Sequence, residues 1–161
     1  MKSVDTDVLI LLMYYYSEFI KANSVEEKYL FMELGQGNKK RIMSVSEIVQ
    51  KLGNEVCKCL PALHVLTGCD TTNAMFKIGK KTAYDTFYRN LESFKELSKL
   101  NYVSTTEAAN IATKFALALF KNKNEAIKTL NELRYHLTTA SSKSSSELPP
   151  TDDAFYQHVL R

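Results

Sequence analysis

Three aspartates carry the chemistry that this sequence could perform. Asp5 and Asp7, one residue apart, stand just before an apolar run from Val8 to Leu12. Asp70 lies far along the chain, two residues after Gly68, where a second apolar run (Ala62, Leu63, Val65, Leu66) ends. Gly68 suits the left-handed turn at a helix C-terminus. Asp70 is therefore expected on a loop anchored by a buried helix, a common place for binding and catalytic groups. Hard cations such as Mg²⁺ or Mn²⁺ take carboxylate oxygens and keep several waters. Three carboxylates crowded together without a cation would oppose one another's ionisation. Asp5, Asp7 and Asp70 are thus the candidate metal ligands and catalytic residues. The competing reading makes Asp5 the cap of the helix after it and Asp70 the cap of a loop.

A basic pattern follows. Ile78-Gly79 reads as a hydrophobic turn, and a helix opens on Lys80-Lys81. Backbone N–H groups at a helix start, with two ammonium groups beside them, would face an anion together. Lysines are unfavourable near the positive end of a helix dipole, which favours an anionic partner over a merely solvated helix start. Lys77, Gly79, Lys80 and Lys81 are the candidate DNA-phosphate contacts, of the kind that position a protein on nucleic acid without reading sequence. Lys39-Lys40-Arg41 reads as a solvated strand edge.

In these stretches the chain is similar to the flap endonuclease (XPG-like) branch of the PIN-like nucleases. That family carries an Asp-x-Asp pair before an apolar run, a helix ending in Leu-Gly-x-Asp-Tyr, and a Gly-Ile-Gly-x-Lys-x-Ala helix-hairpin-helix element. Here the counterparts are Asp5-Thr6-Asp7, Leu66-Thr67-Gly68-Cys69-Asp70 and Lys77-Ile78-Gly79-Lys80-Lys81-Thr82-Ala83. Between them, Ser44 to Gly53 also fits, and the match spans roughly residues 4 to 91. Thr71 replaces the family's aromatic, Lys77 replaces the first hairpin glycine, and the family's N-terminal half has no counterpart.

The resemblance implies an α/β fold, predominantly helical here: the C-terminal half of a PIN-like domain with a helix-hairpin-helix and a C-terminal helical pair. It implies Mg²⁺-dependent phosphodiester hydrolysis on branched or single-stranded DNA, independent of sequence. Asp5, Asp7 and Asp70 would hold one ion. The ligands for a second ion of a two-metal mechanism would come mainly from the missing half, which is a further candidate partner. The chain is accordingly expected to be incomplete as an enzyme. The alternative is a catalytically inactive, truncated or mobile-element-derived module acting in DNA or protein binding. A third reading is a helical interaction domain without metal.

Bulk properties narrow the class. The 161 residues suffice for a real core, and 45% hydrophobic with 24% charged residues places the chain among soluble globular proteins. A net charge of +3 is too small to argue nucleic-acid binding by itself. Cys57, Cys59 and Cys69 are odd in number and bunched, unlike a disulfide framework, which points to a reducing compartment, nuclear or cytoplasmic. With His64 they could suggest zinc, but buried structural cysteines are the preferred reading. Tyr14-Tyr15-Tyr16 cannot all face one way as a stacking platform. Lys2 and Val8 to Tyr16 imitate a signal peptide, but Asp5 and Asp7 sit where positive charge belongs and the run is too short for a membrane span.

The elements follow from pattern. Val8 to Phe19 is expected to be a helix by its length, with no strand before Asp5. Residues 28–34 and 39–45 form a hairpin around Gly35-Gln36-Gly37-Asn38. Capping boxes are expected at Ser44/Glu47, Ser93/Glu96, Ser104/Glu107 and Asn122/Glu125. A helix from about Asn54 towards Thr67 is expected to kink or restart at Pro61. Apolar stripes at Ala83, Phe87, Leu91, then Ala108 to Leu119, then Ala126 to Leu137 mark three later helices, the last two an antiparallel pair. Glu18, Glu26, Glu27 and Glu33 read as solvated. The expected organisation is a nuclease-like domain over 1–137 (metal-site half 1–70, helix-hairpin-helix 71–91, helical extension 92–137). A Ser-rich linker at 138–146 and a tail at 147–161 follow; the tail either docks back or belongs to a longer chain.

Overall fold

The computed structural model describes residues 2–3, 5–23, 29–70, 72–75, 77–140 and 144–161, with Lys2, Ser3 and Asn23 described as backbone only. The chain is predominantly helical with one small mixed sheet. It divides into two compact units, Met1–Pro61 and Ala62–Arg161.

In the first unit, α1 (Thr6–Asn23) is apolar nearly all round and buries Met13, Tyr16 and Ser17. The buried Ser17 hydroxyl donates to the Tyr14 carbonyl at 2.8 Å, so it carries no desolvation cost. Tyr16 is buried while Tyr15 is 65% exposed, and the three tyrosines diverge as helical spacing requires. The hairpin forms as expected, with β2 (Phe31–Leu34) antiparallel to β3 (Arg41–Ser44). Met32 and Leu34 point inward, and Phe31 and Ile42 are exposed. A further strand, β1 (Lys2–Ser3), pairs parallel with β2, giving the order β1-β2-β3. A strand therefore does precede Asp5. Two residues are too few to leave a period-2 pattern, which is why it is invisible in the sequence.

Ser44 caps α2 (Val45–Leu52), its Oγ accepting the Glu47 N–H, and the helix ends at Gly53 with φ of +81°. α3 (Asn54–Leu66) runs on through Pro61 instead of restarting there. An interior proline costs about 3 kcal/mol. The helix also buries Val56, Leu60, Leu63 and Leu66, at about 1.5–3 kcal/mol each, and burial wins. Glu18 is ion-paired with Lys58 at 2.9 Å, and this hydrogen bond raises the Lys58 pKa. Glu33 pairs with Lys40 at 3.0 Å. Neither glutamate is merely solvated. Glu26 and Glu27 lie outside the described residues. Cys57 and Cys59 are wholly buried, and burial pushes the Cys57 thiol up to about 11.

In the second unit, α4 (Lys80–Arg89), α7 (Leu130–Ala140) and α8 (Asp152–Val159) all pack on α6 (Thr105–Leu119). α6 buries Ala108, Ile111, Ala112, Phe115, Ala116 and Leu119, the stripe read from the sequence, and Ser104 caps it. Two of the expected capping boxes do not form. Ser93 lies inside the short α5 (Leu91–Phe94), which continues into a 3₁₀ turn to Lys99. Asn122 instead accepts the Asn124 N–H at 3.0 Å and builds a turn. The box at α7 is Thr129/Glu132. Thr129 Oγ1 accepts the Glu132 N–H, and Glu132 Oε2 accepts the N–H groups of Lys128 (2.8 Å) and Thr129 (3.1 Å). These backbone bonds hold the Glu132 carboxyl below its ordinary range.

The Ser-rich stretch is shorter than expected, because α7 reaches Ala140 and residues 145–147 form a 3₁₀ turn; residues 141–143 lie outside the described residues. The tail docks back. Pro149 and Phe155 are buried, Arg134 donates to the Pro149 carbonyl, and Asp152 accepts the N–H groups of Leu130 (2.7 Å) and Asn131 (3.2 Å). Asp152 thus caps α7 while Thr151 caps its own helix, α8.

Asp152→Ala removes both acceptors from the α7 start and is expected to cost about 1–2 kcal/mol in urea unfolding. The Glu132 pKa is depressed in the folded state, so its contribution is present above the unfolded value and is lost as pH falls through the folded one. Thermal melts should show this acid loss in the wild type and a smaller loss in Glu132→Gln. At the alkaline end, the unfolded chain loses the Cys57 proton near 9.0 while the native thiol holds it to about 11. Stability should therefore decline as pH rises above about 9, and less so in Cys57→Ala.

Candidate functional site

The Asp70 loop is built on the C-terminus of α3. A helix leaves its last four carbonyls without intrahelical donors, and here each finds one. The Leu63 carbonyl accepts from Thr67 N–H (3.3 Å) and Thr67 Oγ1 (2.6 Å). The His64 carbonyl accepts from the Lys80 ammonium. The Val65 carbonyl accepts from Gly68 N–H (3.1 Å) and Thr72 Oγ1 (2.8 Å). The Leu66 carbonyl lies 3.2 Å from His158 Nε2; since a carbonyl can only accept, that nitrogen carries the proton. Lys80 and His158 also place cationic or donor groups at the negative end of the helix dipole.

Gly68 then turns the chain. Its φ is +93°, and a Cβ there would lie 2.5 Å from the Ala74 Cα, so glycine is required by both conformation and space. Cys69 and Thr72 then pair with each other, with Cys69 N–H to Thr72 O at 3.1 Å and Thr72 N–H to Cys69 O at 3.2 Å. Thr72 is buried, and its Oγ1 also accepts the Cys69 N–H. Asp70 sits exposed at the tip of this turn. Thr71 lies outside the described residues.

Asp5 and Asp7 belong to the first unit. Asp5 is exposed and Asp7 partly so, and Asp5 Oδ1 accepts the Asp7 N–H at 2.9 Å, the geometry of an N-cap on α1. One carboxylate oxygen of Asp5 is therefore already engaged in starting the helix.

The four basic-hairpin residues do different things. Gly79 precedes α4 with φ of −88°, and a Cβ on it would meet nothing within 4 Å. Lys80 donates to the carbonyls of both His64 and Gly68, so its ammonium ties the start of α4 to the Asp70 turn. Lys81 is 92% exposed and pairs loosely with Asp85 at 3.5 Å. Lys77 pairs with Glu147 and has φ of +58°, a conformation natural to glycine. Thr72 and His158 support the turn, and neither was singled out in the sequence. Thr72 lies beside Asp70, but nothing local marks its hydroxyl as a cap, and His158 is 92 residues from the carbonyl it serves.

Gly68→Ala should cost about 3 kcal/mol, from left-handed strain plus overpacking against Ala74. Lys80→Met keeps the apolar stem and removes the donor. It should speed amide exchange at Cys69 and Thr72 at least tenfold while leaving α6 amides unchanged. Comparison of the chain with protein-family models, with curated proteins and with solved structures found no match.

Proposed function

We propose that this chain is a nucleic-acid-binding module of the PIN-like, flap-endonuclease kind, in which Asp5, Asp7 and Asp70 bind a divalent cation and the start of α4 meets the DNA backbone. The observation that carries the reading is Lys80. It joins a carboxylate-bearing turn and a basic helix start within one unit, so a phosphate at α4 would be held in fixed relation to Asp70. The donor set fits the ion: exposed or half-exposed carboxylate oxygens suit Mg²⁺ or Mn²⁺, which keep part of their water shell. Gly79, the N-cap of α4, is compatible with the phosphate contact, because without a Cβ it lets an anion approach the backbone closely; glycine is also an ordinary residue at an N-cap.

In this reading each side chain has a separate task. Asp70 offers its exposed carboxylate from a turn braced by Gly68, Thr72 and Lys80. Lys80 is a positioning residue, and its charge is spent on α3. Lys81 is the mobile cation that meets phosphate, exchanging Asp85 for it. A bound Mg²⁺ would supply Lewis-acid activation of water and phosphodiester.

A second reading, a catalytically inactive, truncated or mobile-element-derived module acting in DNA or protein binding, is favoured by one specific observation. Asp5 Oδ1 is engaged as the cap of α1, so one oxygen of the proposed metal-binding set already has a structural role. Three aspartates would in any case anchor one ion, and a two-ion displacement needs more carboxylates. We therefore expect the chain alone to bind metal and DNA without cutting efficiently.

Calorimetry should detect Mn²⁺ binding that Asp70→Asn weakens at least tenfold; equal affinity in the variant removes the metal reading. Lys81→Ala should lower affinity for single-stranded DNA alike for every sequence and reduce the salt slope by about one. With Mg²⁺ or Mn²⁺ on flap, nicked and single-stranded DNA, the purified chain should give no robust incision. Strong incision that Asp70→Ala abolishes would show that these three aspartates suffice.

A further inference from the structure

Two open cavities differ in their chemistry. One, of about 410 Å³ within the first unit, is lined by Lys21 and Glu47 together, so it favours neither sign of ligand charge. The other, of about 550 Å³ within the second unit, is lined by Arg134, His158 and Arg161 and, among the described residues, by no carboxylate side chain. Of the acids near it in sequence, Glu147 pairs with Lys77 and Asp152 caps α7, while Asp153 is exposed beside Ala154 and is not among the lining residues. The docking of the tail makes this cavity, because Pro149 and α8 form one wall of it. Apolar surface comes from Phe120 and Met75, and amide groups from Asn73 and Gln157.

We propose that this cavity binds a single nucleotide unit, a nucleoside monophosphate either free or at the end of a strand. Arg134 gives one guanidinium N–H to the Pro149 carbonyl and His158 Nε2 serves the Leu66 carbonyl. The phosphate would therefore meet the remaining Arg134 N–H groups and the Arg161 guanidinium, a group that matches phosphate in charge and in fork geometry. A flat base would rest against Phe120 and Met75, and primary amides can both donate to and accept from a base edge. The volume lies within the roughly 300–1,000 Å³ of small-ligand sites. Asn73 and Met75 follow the Asp70 turn directly in sequence, yet the cavity shares none of its lining with the three aspartates or the α4 lysines. Binding here does not depend on a metal.

The test is calorimetry on the full chain in EDTA, with thymidine 5′-monophosphate, thymidine, inorganic phosphate and 5′-phosphorylated oligothymidylate as probes. Thymidine monophosphate should bind with Kd on the order of 100 µM, with thymidine and phosphate each at least tenfold weaker. Ala154→Glu puts a carboxylate at an exposed lining position in the first turn of α8, where acid is tolerated. It should weaken binding more than tenfold while circular dichroism and melting stay unchanged. Arg161→Gln should weaken binding severalfold. Tighter binding of the oligonucleotide would identify the strand end as the source, and equal binding the free nucleotide. No binding of the monophosphate at millimolar concentration, affinity unchanged in Ala154→Glu, or phosphate alone binding as well as the nucleotide would each overturn the proposal.

Discussion

The last four carbonyls of α3 must find donors that the helix cannot provide, and those donors come from three separate places. Thr67, Gly68 and Thr72 supply local ones, Lys80 reaches back from α4, and His158 comes from α8. The bond to the Leu63 carbonyl is buried and those from Thr72 and His158 are part-buried, where a carbonyl left unpaired costs about 1–3 kcal/mol; the Lys80 bond is exposed. Satisfying this set therefore fixes the Asp70 turn, the start of α4 and the docked tail relative to one another. At the start of the turn Gly68 packs against Ala74 with no room for a Cβ.

The same constraint shapes what the lysines can do. Lys80 looks in the sequence like one of a pair of equivalent phosphate ligands. Its ammonium is bound to the His64 and Gly68 carbonyls, so in the proposed function it would act on a phosphate only through the geometry it enforces. Lys81, nearly fully exposed, keeps its charge available. A division between a structural and an exposed lysine suits the proposed sequence-independent backbone contact, where position matters and base identity does not.

Local patterns were legible in the sequence where one element decided the outcome. The α6 stripe, the β2–β3 hairpin and the caps at Ser44 and Ser104 follow from period, turn residues and Ser-x-x-Glu spacing alone. Patterns failed where a distant group intervened. Asn122 has the same spacing as a real capping box, yet its side chain closes a turn and the helix waits for Thr129. Pro61 is expected from the sequence to kink or restart the helix, and buried neighbours carry α3 through it without a restart. Gly68 and Asp70 could be read as turn and carboxylate. The Lys80 and His158 bonds that support them link residues 12 to 92 positions apart and leave no local signature.

The proposed function rests on the aspartates at α1 and at the end of α3 sharing one cation. Mn²⁺ paramagnetic broadening of amide signals tests this most directly, because it reports every site near the ion at once. The account expects the amides of Asp7, Val8, Cys69 and Thr72 to broaden together at the same low Mn²⁺ concentration, and Asp70→Asn to abolish the effect at Asp7. Broadening at one of the two segments alone, or at neither, would contradict it.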